Sequence, residues 1–436
     1  MSPIRNGVFR NWGRNQRAVP ARVASPSTID EVAAVVRRAA TEGRRVKVVG
    51  AGHSFTDIAC TDGVLVDIGA IAGITSVDRE KCQVTVGAGT RLADLNTALR
   101  SRGLALPNLG DIDHQTIAGA TATGTHGTGA SYASISAAVV GARLVTGDGS
   151  IVECSANTRA ELLPAVQVNL GALGVVCELT LQCVEAFDLH AVETTEPVDA
   201  ITERFDELTA ANDHVEFYWF PHTTVGSLKV NNRTTEPIRR RPRVEEFVDA
   251  ELVSNALFGT LCHAGHRLPR LIEPAIRRAV RPGQTADYIA PSHEVFCSPR
   301  RVRFVEMEYA VPRMELLEAF GRVQDVVARL GAPISFPIEV RVLGADDTLL
   351  GTASRDDVGY IAVHVFHKSP HDAYFSAVEA IMDDYEARPH WGKMHGLGAA
   401  ELSARYPRWS RFAAIRDELD PDRVFANPYL ERVLGP

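Results

Sequence analysis

A glycine-rich segment near the N-terminus carries a histidine in a setting that suits a bound nucleotide. The apolar run 46–49 leads into a G-A-G-H-S sequence made of Gly50, Ala51, Gly52, His53 and Ser54. A strand that runs into Gly-x-Gly exposes backbone N–H groups that can hold a pyrophosphate. The spacing does not fit a Rossmann nicotinamide site, because it lacks a third glycine and an acidic residue placed for the ribose. An ordinary strand-to-loop turn is the alternative explanation.

A second segment, residues 114–129, reads H-Q-T-I-A-G-A-T-A-T-G-T-H-G-T-G and contains almost no bulky side chain. Such a run cannot build a hydrophobic core. It can let the backbone approach a large flat ligand, and it offers N–H and hydroxyl donors. A flexible linker is the alternative, but the placement of His114, Ile117 and His126 favours contact with a ligand.

Two charged residues stand two positions apart inside an apolar run, F-P-I-E-V-R. In a strand this spacing directs Glu339 and Arg341 to one face. On a solvated face such a pair would be routine and would stabilise the protein little. A later histidine, His364, fits either a site residue or a hydrogen-bonded core histidine. No metal site is predicted, because no H-E-x-x-H or Cys/His cluster supports the nearby histidines, which are His364, His367, His390 and His395.

The elements that must position these residues fall into two groups. In the first 185 residues, short strands alternate with helices. Strands are predicted at 46–49, 64–68, 83–86, 139–145, 151–154 and 178–185, and helices at 28–42 and 91–102. From about 186 to 385, longer alternating strands such as 215–220 and 302–309 indicate an antiparallel sheet with one solvent-exposed face. Helices at 314–330 and 371–388 are expected to cover the other face, and the tail from about 394 is predicted to be helical.

Composition bounds the class of protein. Apolar residues make up 45% and charged residues 23% of the 436-residue chain, which is typical of a globular protein. The net charge of −8 argues against a nucleic-acid partner, which would require a basic surface. The odd number of cysteines, seven, lacks any C-x-x-C pair and favours reduced thiols. With no N-terminal apolar segment and no long apolar run, we expect a cytoplasmic protein, and association with a membrane partner stays open.

Four motifs in order along the chain carry a resemblance to a known family. They are G-A-G-H-S-F-T-D, A-T-G-T-H-G-T-G, G-A-L-G-V-V and, near the C-terminus, H-W-G-K. Together they resemble the aldonolactone oxidoreductases, which are flavoproteins of the vanillyl-alcohol-oxidase type. The resemblance implies an α+β fold of two domains with a PCMH-type FAD-binding domain. That domain would span residues 1–185 and be completed by 394–436, with a substrate-binding cap domain over residues 186–393.

The resemblance also implies roles for individual residues. FAD is the expected cofactor, and His53 is expected to bond covalently to the flavin 8α-methyl group. This is chemically sensible, because a neutral imidazole is nucleophilic near pH 7. The residues expected to cradle FAD or adjoin its ring are Gly50, Ala51, Gly52, His53, Ser54, Ala118, Gly119, Thr123, Gly124, Thr125, His126, Gly127, Gly174, Val175, Val176, His390 and Asn427. The residues expected to act on the substrate are Glu339, Arg341, Lys393 and His364.

The implied function is oxidation of an aldono-1,4-lactone of the gulono-, galactono- or arabinono-type by hydride transfer to flavin N5. An alditol oxidase acting on a xylitol- or sorbitol-type polyol with the same site is the alternative. A non-catalytic flavin-binding protein is a third possibility. The electron acceptor is either O₂ or a cytochrome- or quinone-like carrier. In this family, alanine before the glycine of the second loop goes with dehydrogenases, so Ala118 indicates a carrier rather than O₂.

Overall fold

A small parallel sheet leads into the first glycine-rich loop. In the computed structural model, which describes residues 2–241 and 257–436, strand Val64–Asp67 lies between Arg22–Ala24 and Val46–Val49. Helix Ile29–Thr41 connects two of these strands, and Thr28 caps it by accepting a hydrogen bond from the backbone N–H of Glu31. The strand Val46–Val49 therefore ends at Gly50, as the sequence predicts.

An antiparallel sheet of five described strands packs next in the chain. In sheet order its strands are Ile151–Ser155, Val139–Val145, Val175–Gln182, Gln83–Gly87 and Ile74–Asp78. The helices of this part are Leu92–Arg100, Ile117–Ala122 and Leu163–Gln167. The predicted strands and the helix over 91–102 are confirmed within a few residues. The short helix Ile117–Ala122 lies in the segment that sequence alone described only as rich in small residues.

An antiparallel sheet of eight described strands forms the middle of the chain. In sheet order the strands are Thr285–Pro291, Asp188–Pro197, Val225–Thr234, His214–Trp219, Ile338–Leu343, Val358–Phe366, Phe304–Pro312 and Arg388–Pro389. Helices Leu316–Leu330 and Asp372–Asp384 pack on one face of it, in agreement with the prediction. The ring of Phe320 contacts Phe217 edge-on, with 5.2 Å between centroids. Smaller helices surround the sheet at Val198–Thr202, Phe205–Ala211, Phe258–Arg267, Ile272–Ala279 and Ser292–Phe296.

The expectation that this sheet has one solvent-exposed face is wrong for its central strands. Every residue of His214–Trp219, Ile338–Leu343 and Val358–Phe366 is buried, including the polar ones. The face opposite the helices is covered by loops from the first 185 residues, where Asp111 contacts Arg341 and His126 contacts Tyr360. The alternation seen in the sequence therefore marks a buried polar face.

The C-terminal tail returns to the N-terminal sheet. Its helices are Ala399–Arg405, Trp409–Leu419 and Pro428–Leu434. The backbone N–H of Val46 donates to the carbonyl of Val424 at 2.7 Å. The side-chain amide of Asn427 donates to the carbonyls of Asp57 at 3.0 Å and Cys60 at 2.9 Å. These bonds fix the loop that follows the G-H-S motif.

Two further observations concern the thiols and possible membrane spans. All seven cysteines are free, and the thiols of Cys154, Cys177, Cys183 and Cys262 are buried. Burial raises the pKa of Cys177 to about 12, so this thiol is protonated and unreactive near neutral pH. Within the described residues, no helix has both the length and the apolar character needed to cross a bilayer.

Candidate active site

The first glycine-rich loop opens onto a cavity that is partly open to solvent. Ten of the residues expected to hold FAD line it: Gly50, Ala51, Gly52, His53, Ser54, Ala118, Gly119, Thr123, Gly174 and Val176. The side-chain oxygen of Gln115, another lining residue, is buried and has no hydrogen-bond partner among the described residues. Such an orphan acceptor is costly unless a ligand satisfies it. The cavity walls therefore fit a polar ligand.

Close approach explains why glycine stands at positions 50 and 52. A Cβ on Gly50 would lie 2.0 Å from Oγ1 of Thr116, the residue that caps helix Ile117–Ala122. Gly52 has φ +70°, a left-handed conformation that favours glycine. The two glycine-containing segments are thus pressed together at the cavity wall.

His53 faces this cavity as a neutral imidazole. Its ring is stacked on Trp12 with 5.6 Å between centroids, and it lies 6.1 Å from the ring of His114. Burial, with the neighbouring charges of His114 and Arg91 and the N-terminus, lowers the pKa of His53 to about 4. The ring is therefore unprotonated near pH 7 and keeps a nucleophilic lone pair.

The other predicted cofactor residues lie outside the lining of this cavity. Oγ1 of Thr125 accepts a hydrogen bond from Gln115 at 3.1 Å, so Thr125 adjoins a lining residue. Asn427 fixes the loop at 57–60, as described above. Val175 is fully buried at the start of its strand. The remaining four are Gly124, Gly127, His126 and His390, and the two histidines lie beside the buried polar face of the large sheet.

A buried lysine that sequence reasoning missed also lines the cavity. Lys47 is 2% exposed, and its ammonium donates to the carbonyl of Phe425 at 3.1 Å. Burial lowers the pKa of Lys47 to about 7, although Asp420 partly opposes the shift. The sequence did contain a sign of this residue, because a lysine stands inside the apolar run V-K-V-V. Burying a charged side chain is costly, so a lysine in such a strand indicates a partner or a functional role.

The polar face of the large sheet is built by residues paired across neighbouring strands. Tyr218 is paired with Glu339, and Glu339 with Ala362. Glu308 is also paired with Ala362, from the strand on its other side. Directly paired residues point to the same face. This register therefore aligns side chains from four strands into one polar row.

The first cluster on this face, the Arg341 cluster, centres on a guanidinium that meets three carboxyl groups. Arg341 forms an ion pair with Asp111 and contacts the carboxyl group of Glu339, and its Nε lies 2.8 Å from Oε2 of Glu216. The hydroxyl oxygen of Tyr218 lies 2.9 Å from Oε1 of Glu339. Two more cations complete the cluster: Arg300 lies 2.9 Å from Asp111, and Lys229 lies 3.3 Å from Glu216.

The pKa values of two carboxyl groups in this cluster, Glu339 and Asp111, are shifted in opposite directions. Burial raises the pKa of Glu339 to about 8; Arg341 opposes the shift, and the nearby carboxyl groups of Asp111 and Glu216 add to it. Burial opposes ionisation of Asp111 too, but Arg341, Arg300 and Lys229 together lower its pKa well below the usual range. Glu339 is therefore largely protonated near pH 7, whereas Asp111 is an anion. A buried acid that keeps its proton at this pH can donate a hydrogen bond.

The second cluster, the Lys393 cluster, lies on the same face two strands away. Lys393 forms an ion pair with Glu306, and its ammonium lies 3.7 Å from Oε2 of Glu308. Nε2 of His364 lies 3.3 Å from the same Glu306. Nε2 of His126 lies 3.5 Å from Glu308, and the His126 ring stacks on Tyr360 with 3.7 Å between centroids.

Charges in the Lys393 cluster stabilise one another. Burial would raise the pKa of Glu306, but Lys393 and His364 lower it to about 2. Burial would likewise lower the pKa of Lys393, but Glu306 and Glu308 raise it. Burial lowers the pKa of His390 to about 3, and its Nδ1 accepts from the N–H of Gly392 at 3.0 Å. Lys393 therefore keeps its proton, while His390 is neutral.

Two sets of side chains bring possible metal ligands within 4.8 Å of one another: His126, Glu308 and His390, and Asp111, Glu216 and Glu339. In the first set, the bond from Gly392 to Nδ1 leaves the proton of His390 on Nε2. In the second set, Arg341 pairs with all three carboxyl groups, and a cation would have to displace it. Both sets are parts of ion-pair networks.

The four predicted substrate residues thus lie on one buried face, with Glu339 and Arg341 in contact and Lys393 and His364 joined through Glu306. Sequence reasoning missed the partners that surround them, which are Asp111, Glu216, Tyr218, Lys229, Arg300, Glu306 and Glu308. For Glu306 and Glu308 a signal was present. They stand two apart in the apolar run V-E-M-E-Y, the same pattern that singled out Glu339 and Arg341.

Comparison with known protein families identifies the family of this chain. The family model described as D-arabinono-1,4-lactone oxidase matches residues 179–433, and that of an FAD binding domain matches residues 20–155. The chain belongs to the D-arabinono-1,4-lactone oxidase family. The first match covers the eight-stranded sheet and the tail, and the second covers the parallel sheet and both glycine-rich segments.

Relatives in this family match over nearly their whole length. The chain is 44% identical to the L-gulono-1,4-lactone dehydrogenase of Mycobacterium tuberculosis, with 100% of both chains covered. It is 35% identical to the L-gulonolactone oxidase of Bos taurus, with 98% of both covered. It is 33% identical to an alditol oxidase of a Streptomyces species, covering 97% of this chain and 98% of that one.

Solved structures of other proteins share the fold of this chain. A solvent-stable cholesterol oxidase superposes with a TM-score of 0.83 over 99% of this chain and 97% of the other, at 21% identity. At that identity the likeness concerns the fold alone. Together with the FAD-binding match, it confirms the α+β fold of the vanillyl-alcohol-oxidase type that the motifs predicted.

Proposed function

We propose that this protein oxidises a sugar-derived aldono-1,4-lactone of the gulono-type with FAD held in the cavity beside the G-H-S loop. One observation carries the proposal: a protonated Glu339 and an ion-paired Arg341 share a buried sheet face with Lys393 in a chain of this family. Such a set can hold several oxygens of a polyhydroxylated substrate. The 44% identity to a relative named for gulonolactone dehydrogenation favours that lactone class.

FAD fits the residues that line the cavity. Glycines at 50, 52, 119 and 174 leave part of the cavity wall without side chains, and Gln115 offers an unpaired oxygen. The residues of these walls would hold the cofactor, and His53 is the lining residue that would bond to its flavin. When bound, FAD supplies a two-electron acceptor for the hydride leaving the substrate carbon. Because His53 is a neutral nucleophile that faces this cavity, we propose that it carries the covalent bond to the cofactor.

Arg341 and Glu339 are proposed to bind and orient the substrate. Arg341 is fixed by three carboxyl groups, so its guanidinium is held in place before the substrate arrives. Glu339 donates a hydrogen bond to a substrate oxygen while it keeps its proton. Lys393 contributes a fixed positive charge, which stabilises negative charge developing nearby.

His364 is proposed to take the proton of the substrate hydroxyl. Lys393 is the weaker candidate, because the glutamates raise its pKa and hold it as an ammonium. Nε2 of His364 faces Glu306 at 3.3 Å, and its Nδ1 lies 3.2 Å from the carbonyl oxygen of Pro337. The substrate hydroxyl must therefore replace one of these contacts to pass its proton to the ring, and the nearby Glu306 carboxylate would stabilise the imidazolium that forms. Glu306 is thereby a positioning residue for both His364 and Lys393.

We further propose that the enzyme acts as a dehydrogenase that passes electrons to a carrier. Ala118 lines the cavity next to Gly119, and its methyl group would narrow the space left for O₂ when the cofactor is bound. The relative from Mycobacterium tuberculosis is named a dehydrogenase, and that from Bos taurus an oxidase. The family thus contains both types, and Ala118 favours the first.

The experiment that tests the proposal is a visible spectrum of the purified protein under anaerobic conditions. L-Gulonolactone, galactonolactone, xylitol and sorbitol are added in turn, and loss of flavin absorbance is followed. Bleaching by a lactone and not by a polyol is the expected result. Bleaching by a polyol alone would reassign the protein to the alditol oxidases, an alternative that the 33% identity to the Streptomyces enzyme supports. A yellow protein that none of the four bleaches would contradict both.

A further inference from the structure

A lysine lies in the wall of the cofactor cavity, and the proposed chemistry gives it no role. Of the described residues that line this cavity, only Lys47 and His53 have ionisable side chains. No aspartate, glutamate or arginine of that part of the chain lines it. His53 is a neutral imidazole near pH 7. Lys47 is therefore the residue of these walls that can present a positive charge to a ligand at that pH.

The protein leaves most of the hydrogen-bonding capacity of Lys47 unused. This residue is the second of the buried strand Val46–Val49. Its Nζ donates to the backbone carbonyl of Phe425 at 3.1 Å, and within the described residues this is the one hydrogen bond that the side chain makes. An ammonium has three N–H donors, so two have no protein partner. A buried donor without a partner is costly, and a ligand that accepts from it would remove that cost.

A glycine of the cavity wall stands beside the ammonium of Lys47. A Cβ placed on Gly171 would lie 3.8 Å from Nζ of Lys47. Gly171 lines the same cavity and has φ +63°, a left-handed conformation that favours glycine. The side-chain oxygen of Asn169 fixes this turn by accepting a hydrogen bond from the N–H of Gly171 at 2.7 Å. The wall next to the ammonium is therefore backbone, with no side chain at position 171.

The charged groups around Lys47 do not offset the cost of its burial. Asp420 and Asp57 favour the protonated amine, whereas Arg416 opposes it. Burial has the largest effect and lowers the pKa of Lys47 to about 7. An anion placed beside this amine would raise its pKa again, because opposite charges favour the charged form. The site is thus suited to a ligand that brings negative charge.

We propose that the ammonium of Lys47 binds the pyrophosphate group of the cofactor. FAD carries its negative charge on two phosphates, and its oxidised ring system is neutral, so the pyrophosphate is the part that matches a cation in these walls. The inference rests on the proposed function only in taking FAD as the ligand of this cavity. Lys47 then takes up a proton as the cofactor binds, because the phosphates stabilise its charged form.

ADP-ribose is the binding probe, because it carries a pyrophosphate and no flavin. The full chain is produced without flavin in riboflavin-starved cells and titrated with ADP-ribose in a calorimeter. The test variant is Lys47→Met, which keeps an unbranched side chain and removes its charge. The matched control is Lys81→Met, which removes the same charge from an exposed lysine that lies 3.1 Å from Asp78.

Lys47→Met is expected to weaken ADP-ribose binding about 10-fold or more, since it removes a hydrogen bond to a charged partner. The affinity of Lys81→Met should equal that of the wild type. Equal affinities in all three proteins, or no binding of ADP-ribose by the wild type, would overturn the proposal. Because ADP-ribose contains no flavin, a failure of the protein to oxidise lactones leaves this measurement valid.

The pH dependence of binding is a second readout. The pKa of free Lys47 is about 7 and rises when the pyrophosphate binds, so the affinity for ADP-ribose should fall as the pH rises above about 7. His53 and Arg416, with pKa values of about 4 and about 10, titrate outside the range between pH 7 and 9. Lys47→Met should therefore show a flat profile over this range. An equal fall in the variant would assign the titration to another group and overturn the proposal.

Thermal unfolding separates cofactor binding from a structural role, since Lys47 also bonds to the tail through Phe425. Burying a methionine costs less than burying an amine, so flavin-free Lys47→Met should melt at the wild-type temperature or above it. A ligand stabilises a protein according to its affinity, so loading with FAD should raise the melting temperature of Lys47→Met less than that of the wild type. An equal drop in the melting temperature of the flavin-free and FAD-loaded variant would make Lys47 a structural residue and overturn the proposal.

Discussion

The hydroxyl oxygen of Tyr218 lies 2.9 Å from Oε1 of Glu339, at the centre of the buried sheet face. The same oxygen lies 3.1 Å from Asp111 and 3.2 Å from Glu216. A phenol has one proton to donate, so three contacts with carboxylate anions could not all be favourable. A proton on Glu339 reduces the conflict, because the phenol then faces two carboxylate anions and one neutral acid. This geometry agrees with the pKa of about 8 that burial gives Glu339.

The protonation of Glu339 should appear in the pH dependence of flavin reduction. The pKa of Glu339 is raised to about 8, so its proton is present below that pH and lost above it. If the protonated form donates to the substrate, the reduction rate falls as the pH rises through about 8. Glu339→Gln keeps a donor at every pH, so its reduction rate should show no such fall. Stopped-flow reduction of both proteins between pH 6 and 10 checks this. A decline of equal size in the variant would assign the titration to another group.

Arg341 should contribute more to the rate than to the architecture of the sheet. Arg341→Lys keeps a cation but loses the planar fork that meets three carboxyl groups. We expect flavin reduction by the lactone to slow about 10²-fold or more, since charge stabilisation by one well-placed group has that size. Arg341→Ala should also destabilise the fold by about 3–5 kcal/mol, because it leaves buried carboxylates unpaired.

The readouts for Arg341 separate these effects. Single-turnover reduction measures the chemical step, and thermal unfolding measures stability. Arg300→Lys is the matched control, because Arg300 pairs with Asp111 of the same cluster at 2.9 Å and is not expected to bind the substrate. An Arg341→Lys protein that is reduced at the wild-type rate would remove Arg341 from the reaction.

His53 should determine whether the cofactor is covalently attached. His53→Ala is expected to fold and to release its flavin on acid precipitation, whereas the wild-type pellet stays yellow. The control is His114→Ala, which removes a ring 6.1 Å away that is not expected to bond to the cofactor. A yellow acid pellet from His53→Ala would show that another residue holds the flavin. Colourless pellets from all three proteins would mean that the cofactor is bound without a covalent bond.

The sequence predicted local features of this site better than long-range ones. The strand at Val46–Val49 and the shared face of Glu339 and Arg341 follow from patterns within ten residues. Asp111 and Tyr218 could not be predicted as their partners, because strand register and loop placement bring them together over more than a hundred positions. The prediction that the polar face of the large sheet is exposed to solvent was wrong. Alternating polar and apolar residues show that the two faces of a strand differ, but they do not show whether the polar face contacts solvent or other protein groups.

The methyl group of Ala118 should control how fast the reduced enzyme reacts with air. Ala118 lines the cofactor cavity one residue before Gly119, and its backbone N–H donates to Ala88 at 3.2 Å, so the side chain is held in place. Removing one methyl group opens space for O₂ without changing charge. Ala118→Gly is therefore expected to reoxidise about 10-fold faster or more in air, while lactone reduction changes little. Ala122→Gly is the matched control, since Ala122 lines the same cavity from the same helix. Equal rates for the two variants would mean that cavity volume in general, and not position 118, governs access. No acceleration in Ala118→Gly would place the barrier to O₂ elsewhere and weaken the case for a dehydrogenase.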